Sequence, residues 1–79
     1  MDTFDDVTEY QYSGGEMRRL RQEAGKSREM VAVVIERSVP SIASYEYGTT
    51  TPPADVLARI AGALGCDPGS FFTRKPPAT

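Results

Sequence analysis

The stretch that decides the fold is residues 27–48, SREMVAVVIERSVPSIASYEYG. Ser27 and Ser38 are good helix N-cap residues, and each precedes apolar residues at helical spacing. Gly48 is a natural C-terminal stop for the helix that follows Ser38. Pro40 is tolerated because it lies in the first turn of that same helix. The stretch therefore predicts two short consecutive helices joined by a tight turn.

Residues 30–35 are the ambiguous part of this stretch, because four of the six are β-branched and would suit a strand. A single strand between helices would have no evident partner, whereas Ser27 supplies a helix start. Val31, Ala32 and Ile35 also share one helical face. We therefore predict a helix here that carries these three side chains inward.

The flanking sequence predicts three further helices. Ser13 and Glu16 have the spacing of a capping box for a first helix that ends at Gly25. A wide apolar stripe predicts a fourth helix and is formed by Val56, Leu57, Ile60, Ala61 and Leu64. Asp67 then opens a short fifth helix. The expected fold is all-α, a compact domain of five helices over residues 13–73.

Length and composition restrict the function. The 79 residues leave room for one small domain, and the single cysteine, Cys66, excludes an internal disulfide. The absence of His argues against an ordinary zinc site and against common catalytic pairs. There is no apolar run long enough for a membrane span and no signal peptide. We expect a cytoplasmic protein, not an enzyme, with no cofactor, metal or small-molecule ligand, in which Cys66 is a small buried hydrophobe.

The net charge of −2 argues against nucleic acid until it is divided along the chain. Residues 1–12 hold four acids and no base, and these acids are Asp2, Asp5, Asp6 and Glu9. The remainder has nine bases and seven acids, hence +2. The acidic segment is either a flexible leader or an arm that packs Tyr10 and Tyr12 on the domain or on a partner. The Pro-rich residues 74–79 are expected to form a loose tail.

From Glu16 to Phe72 the sequence resembles the lambda-repressor-like helix-turn-helix domains of the Xre/Cro type, without a gap. The residues that carry the resemblance are Met17–Arg21, Ala24-Gly25, Ser27–Glu29, Val31-Ala32, Ile35, Ser38, Ser41-Ile42, Tyr45–Gly48, Pro52, Val56–Ala61, Ala63–Gly65 and Phe71-Phe72. The resemblance implies a helix-turn-helix in helices 2 and 3, with the third helix in the major groove of double-stranded DNA. It further implies a transcriptional regulator, of the repressor type, that binds a two-fold-symmetric operator as a homodimer.

The resemblance also implies which residues meet DNA. The expected DNA-binding residues are Lys26, Ser27, Arg28, Arg37, Ser38, Val39, Pro40, Ser41, Ala43, Ser44, Tyr47, Thr49 and Thr50. Ser27 and Arg28 would open the second helix against a phosphate. The last helices would supply the dimer surface through Leu64, Phe71 and Phe72, although the two Phe side chains could instead fill the core.

Four departures from the family pattern affect these expectations. The third helix offers the groove no Arg, Asn or Gln, which implies modest base discrimination and more weight on DNA shape and phosphates. Glu36 stands where the family usually has Gly, and a positive φ there would cost about 1 kcal/mol. Arg37 could contact a phosphate or simply pair with Glu36. Val33 and Val34 are either ordinary surface residues or part of a protein-binding patch.

These departures keep a second function open. A protein-binding module, such as an antirepressor, an antitoxin-like protein or a regulatory partner, would retain the helix-turn-helix fold but have weak affinity for DNA.

Overall fold

Two short strands and four α-helices are built by residues 9–74, the part of the chain that the computed structural model describes. In chain order the elements are β1 (Tyr10–Tyr12), α1 (Gly14–Glu23), α2 (Arg28–Ile35), α3 (Val39–Tyr47), α4 (Ala54–Leu64), a single 3-10 turn (Pro68–Phe71) and β2 (Phe72–Arg74). Among these residues no helix is both long and apolar enough to cross a membrane.

The predicted helix starts are confirmed. Three helices begin after a serine whose hydroxyl accepts the backbone N–H three residues ahead, namely Ser13, Ser27 and Ser38. The capping box at the first helix is only half formed. The Glu16 carboxylate accepts a hydrogen bond from Arg19 at 2.6 Å, and the Ser13 amide donates to the Phe71 carbonyl at 2.8 Å. The start of α1 is thereby tied to the end of the domain.

The ambiguous segment is helical. In α2 the side chains of Val31, Ala32 and Ile35 are at most 4% exposed, as the helical spacing predicted. Helix α2 packs on α3 and α4, and α1 packs on α3. The core that results is formed by Met17, Val31, Ala32, Ile35, Ile42, Tyr45, Val56, Leu57, Ile60, Ala61 and Phe71.

The expected fifth helix is absent from the described residues. The expectation of an all-α domain with five helices is corrected to four α-helices and a small two-stranded sheet. Asp67 does cap a turn, since its Oδ1 accepts the Gly69 N–H at 3.2 Å, but that turn is a 3-10 turn of four residues. The chain then extends from Phe72 onward because β2 pairs antiparallel with β1. Backbone hydrogen bonding to a strand replaces the predicted last turn of helix.

Strand β1 lies within the segment that was expected to be a leader, and it packs on the domain. The Tyr12 ring meets Phe72 edge to face, with ring centroids 6.2 Å apart, and its hydroxyl donates to the Tyr45 carbonyl at 2.9 Å. Burial, followed by the negative charge of Glu46, raises the pKa of Tyr12. Arg74, placed in the tail by the sequence, belongs to β2. The rest of the predicted leader and tail, residues 1–8 and 75–79, lies outside the described residues.

Gly14 allows α1 to approach the end of α3 closely. A Cβ atom at this position would overlap the backbone carbonyl oxygens of Tyr45 and Glu46, which cannot move without disturbing α3. A Cβ at the neighbouring Gly15 would have its nearest contact with the Ser13 hydroxyl at 3.7 Å, an ordinary distance. The two glycines are therefore a matched pair for mutagenesis.

We expect Gly14→Ala to lower the free energy of unfolding by about 3 kcal/mol, because the added methyl group pushes α1 away from α3. Gly15→Ala should leave the stability unchanged or raise it slightly, because alanine favours helix. Urea unfolding followed by circular dichroism measures both. Equal stabilities of the two variants would show that the close approach at Gly14 does not hold.

Candidate nucleic-acid interface

One buried carboxylate joins the three helices that form the candidate site. Arg21 of α1 donates to Glu46 of α3 through Nε at 2.5 Å and Nη2 at 3.2 Å. Arg28 of α2 donates its Nε to the same carboxylate at 3.0 Å, and Arg21 Nη1 reaches the Lys26 carbonyl at 2.8 Å. The Glu46 side chain is 0% exposed and that of Arg21 is 11% exposed. This cluster fixes how α3 is oriented on α1 and α2.

Sequence reasoning missed this cluster, because it assigned no role to either Arg21 or Glu46. A usable signal was nevertheless present. Arg21 follows the core residue Met17 by four positions, and Glu46 follows Ile42 by four, so each charge lies on a buried helical face. Opposite charges on two buried faces predict that they pair, because an unpaired buried charge is very costly.

Arg28 is more constrained than the family resemblance suggested. Its guanidinium carbon lies 5.4 Å from the centroid of the Tyr47 ring, within cation–π range, while its Nε is held by Glu46. Hydrogen bonding, first to Glu46 and then to Tyr47, raises the pKa of Arg28. The side chain is still 26% exposed. Arg28 therefore presents its charge to solvent from a fixed position at the start of α2.

An open cleft of about 340 Å³ lies beside this cluster, between α1 and the N-terminal ends of α2 and α3. It is lined by Arg18, Arg21, Ser27, Arg28, Glu29 and Val39. Glu46 pairs with Arg21 and Arg28, whereas no ion pair involves Arg18 among the described residues. The exposed charge of Arg18 beside the partly exposed Arg28 makes the cleft a candidate phosphate site. Arg18 was not among the expected DNA-binding residues, and its place in the cleft adds it to them.

The expected reading residues lie along the outer side of α3 and the loop that follows it. The exposed residues are Ser38, Pro40, Tyr47, Thr49 and Thr50, and the half-buried ones are Val39, Ser41, Ala43 and Ser44. Their hydroxyl groups bond to one another: Ser38 and Ser41 are 2.9 Å apart, and Ser44 donates to Thr50 at 2.9 Å. On α3 these residues lie away from the buried Ile42, Tyr45 and Glu46, and Val39 also lines the arginine cleft. The backbone carbonyl of Lys26 accepts from Arg21 beside that cleft.

The turn between α2 and α3 is left-handed at a non-glycine residue. Glu36 has φ 58° and ψ 46°, so the backbone cost expected from the sequence applies. Arg37 Nη1 donates to the backbone carbonyl of Glu36 at 3.2 Å. The guanidinium of Arg37 is thus held by the main chain of the turn, at the edge of the candidate surface.

The three residues expected at a dimer surface differ in exposure. Phe71 is 0% exposed and fills the core, whereas Leu64 and Phe72 are half-buried and retain accessible surface. Cys66 is also half-buried against the core, and burial followed by the charge of Asp67 raises the pKa of its thiol. A raised pKa lowers the thiolate fraction and agrees with a packing role for this cysteine.

A family model described as a helix-turn-helix domain matches residues 14–70, which include the buried cluster, the cleft and α3. The chain belongs to this family. The lambda-repressor-like resemblance seen in the sequence is confirmed, and the fold is a DNA-binding fold. No curated protein sequence matches this chain closely enough to count as a relative.

Several solved helix-turn-helix structures are similar to this chain. The restriction-modification controller protein C.AhdI from Aeromonas hydrophila is 25% identical, with a TM-score of 0.70 over 75% of this chain and 89% of its own. The P22 c2 repressor, solved in complex with a synthetic operator, is 23% identical, with a TM-score of 0.71 over 77% and 92%. The clp gene regulator ClgR from C. glutamicum is 22% identical, with a TM-score of 0.69 over 73% and 75%.

We expect Glu46→Gln to lower the free energy of unfolding by about 3 kcal/mol, since it leaves the buried guanidinium of Arg21 without a counter-ion. The matched control is Glu23→Gln, which breaks the exposed pair between Arg19 and Glu23. That change should have no measurable effect, because water and salt screen exposed pairs. Chemical denaturation at neutral pH compares them. Similar losses in both variants would mean that the buried cluster does not fix α3.

The left-handed turn gives a second stability prediction. Glu36→Gly should raise the free energy of unfolding by about 1 kcal/mol, because glycine adopts positive φ without steric cost. Glu36→Ala removes the same charge but keeps the strain, so it should give no such gain. Thermal unfolding of both variants separates the two causes, and an equal gain in both would assign the effect to charge.

Proposed function

We propose that the chain is a sequence-specific transcriptional regulator, of the repressor type, that binds operator DNA as a homodimer with α3 in the major groove. The observation that carries the proposal is the orientation of α3. Its inner face is held by the Glu46 cluster and the core, and its outer face lies in solvent beside the arginine cleft. A major groove about 12 Å wide admits one helix presented in this way.

The cleft and α3 would have different roles in DNA binding. Arg18, Ser27 and Arg28 lie at the junction of α1 and α2, where a guanidinium or a hydroxyl can bind a phosphate and set the position of the domain. The outer face of α3 would then meet base edges through Ser38, Ser41 and Ser44. Because serine can bond to several bases, much of the specificity would come from DNA shape.

A homodimer would offset the small number of cations in each copy. Affinity for DNA rises with the number of phosphates that are neutralised, so two copies on one site double this contribution. Leu64 and Phe72 offer accessible apolar surface for the contact between copies, and the buried Phe71 supports them from the core. Two-fold symmetry of such a dimer implies a two-fold-symmetric operator.

The structural neighbours support a regulatory role. One is named as a controller protein, one as a repressor in complex with an operator, and one as a gene regulator. Their likeness extends over about three quarters of this chain.

A second candidate function is a protein-binding module with weak DNA affinity. The observation that favours it is the pairing of hydroxyl groups on α3, where Ser38 bonds to Ser41 and Ser44 bonds to Thr50. Binding to bases would have to compete with these internal bonds. The two functions differ in how strongly affinity depends on salt.

Selection from random DNA, followed by fluorescence anisotropy across a salt series, tests the proposal. We expect one preferred two-fold-symmetric site and an affinity that falls steeply with salt. Arg18→Glu should weaken binding to all sequences and reduce the salt slope by about one per copy, whereas Ser44→Ala should change the preference among sequences. The control is Arg59→Glu, an exposed arginine on α4 outside the cleft.

Two results would contradict the proposal. Binding that is weak, shows no preferred site and hardly changes with salt would favour the protein-binding module. Equal losses from Arg18→Glu and Arg59→Glu would show that the cleft is not where phosphates bind.

A further inference from the structure

Helix α2 carries an exposed apolar stripe that the proposed function does not use. Met30, Val33 and Val34 are 51%, 78% and 62% exposed. They are spaced i, i+3 and i+4, so they form one continuous surface, here called the α2 stripe. It lies opposite the buried face of the same helix and is separate from the outer face of α3.

A charge of opposite sign lies at each end of the α2 stripe. Glu29 occupies the first turn of α2, and Arg37 follows directly after the turn residue that ends it. Within residues 9–74 neither side chain forms an ion pair, and the hydrogen bond of Arg37 goes to a backbone carbonyl. Each position is four residues from Val33 along the chain. The two ends of the stripe thus carry charges of opposite sign, as a surface that binds a second copy of itself requires.

We propose that the α2 stripe binds the α2 stripe of a second copy of this chain. Two α2 helices packed antiparallel about a two-fold axis at Val33 place each Glu29 opposite the other copy's Arg37. The contact is isologous, because the same residues contribute from both sides. It joins valine to valine at the centre and gives two ion pairs at the rim, the arrangement of apolar centre and polar edge that interfaces favour.

The charges of Glu29 and Arg37 favour a second copy of this chain as the partner of the α2 stripe. An unrelated partner would need a basic group near Glu29 and an acidic group near Arg37 around an apolar centre. A second copy turned through 180° supplies both without any further requirement. Helix α2 carries no other exposed large apolar residue, so the contact is centred on Val33.

The contact is small. Stable dimers bury about 800 Å² on each partner, and three side chains of a short helix offer much less. Association through the α2 stripe is therefore weak between free molecules. It becomes effective when copies are held side by side, as on neighbouring sites of one DNA, because the effective concentration is then in the millimolar range. Only this last consequence rests on the proposed function.

Disulfide trapping detects a contact of this strength without DNA. In a Cys66→Ser background, Val33→Cys places a thiol on the two-fold axis, and Gln22→Cys places a control thiol on the exposed side of α1. Under mild oxidation we expect Val33→Cys to form disulfide-linked dimers about tenfold faster than Gln22→Cys, because only the former is brought to its counterpart by the contact. Equal rates would overturn the proposal.

Charge reversal tests the register. In the Val33→Cys background, Glu29→Arg alone and Arg37→Glu alone each place like charges opposite one another, so trapping should slow about five- to tenfold. The double variant should recover the original rate. A mixture of the two single variants should also recover it, as mixed dimers, because each then supplies the charge that the other lacks.

Recovery of the trapping rate in the mixture requires that each Glu29 position faces the Arg37 position of a second copy. A mixture that traps as slowly as the single variants would therefore overturn the antiparallel arrangement. Because trapping is measured without DNA, its outcome does not depend on whether the chain binds an operator. Likewise, loss of DNA binding in Arg18→Glu would leave trapping unchanged.

Discussion

The carboxylate of Glu46 is the constraint on which the rest of the site depends. It is fully enclosed and takes hydrogen bonds from Arg21 on α1 and Arg28 on α2, so all three helices meet at two oxygen atoms. Buried ion pairs add little net stability, because removing the charges from water costs about as much as their attraction returns. In this protein the buried ion pairs of Glu46 favour one orientation of α3 over all others. A rotation of α3 would leave Glu46 and Arg21 buried without partners, and such a state is strongly disfavoured.

A second set of contacts supports the same C-terminal end of α3. The Tyr12 hydroxyl donates to the Tyr45 carbonyl, and Gly14 lets α1 reach the same turn of backbone. The Ser13 amide in turn bonds to Phe71, which lies fully within the core. Strand β1, the start of α1 and the 3-10 turn thus converge on the C-terminal end of α3. The outer face of that helix is left in solvent because all the other sides are occupied.

Local sequence signals predicted the helices well. Each serine cap stabilises a helix start through its own hydroxyl, and the inward set of Val31, Ala32 and Ile35 followed from spacing alone. Two features required long-range information. The pairing of β1 with β2 joins residues about sixty positions apart, so no local sequence pattern predicts it. Because of this pairing, a turn and a strand occupy the place of the expected fifth helix. The Arg21–Glu46 pair was visible only as two charges on buried faces. The predicted DNA-contacting residues of α3 lie away from the core, but the pairing of Arg28 with Glu46 could not be derived from the position of Arg28 in the sequence.

The short sheet also brings the two ends of the domain together. Tyr10 lies directly opposite Arg74, so the strands that begin and end the described residues lie side by side. A domain whose ends meet can be inserted into a surface loop of another protein, or have its ends joined and be reopened elsewhere, without separating its helices. The packing of the helix-turn-helix domain therefore does not depend on the order in which the chain links its helices.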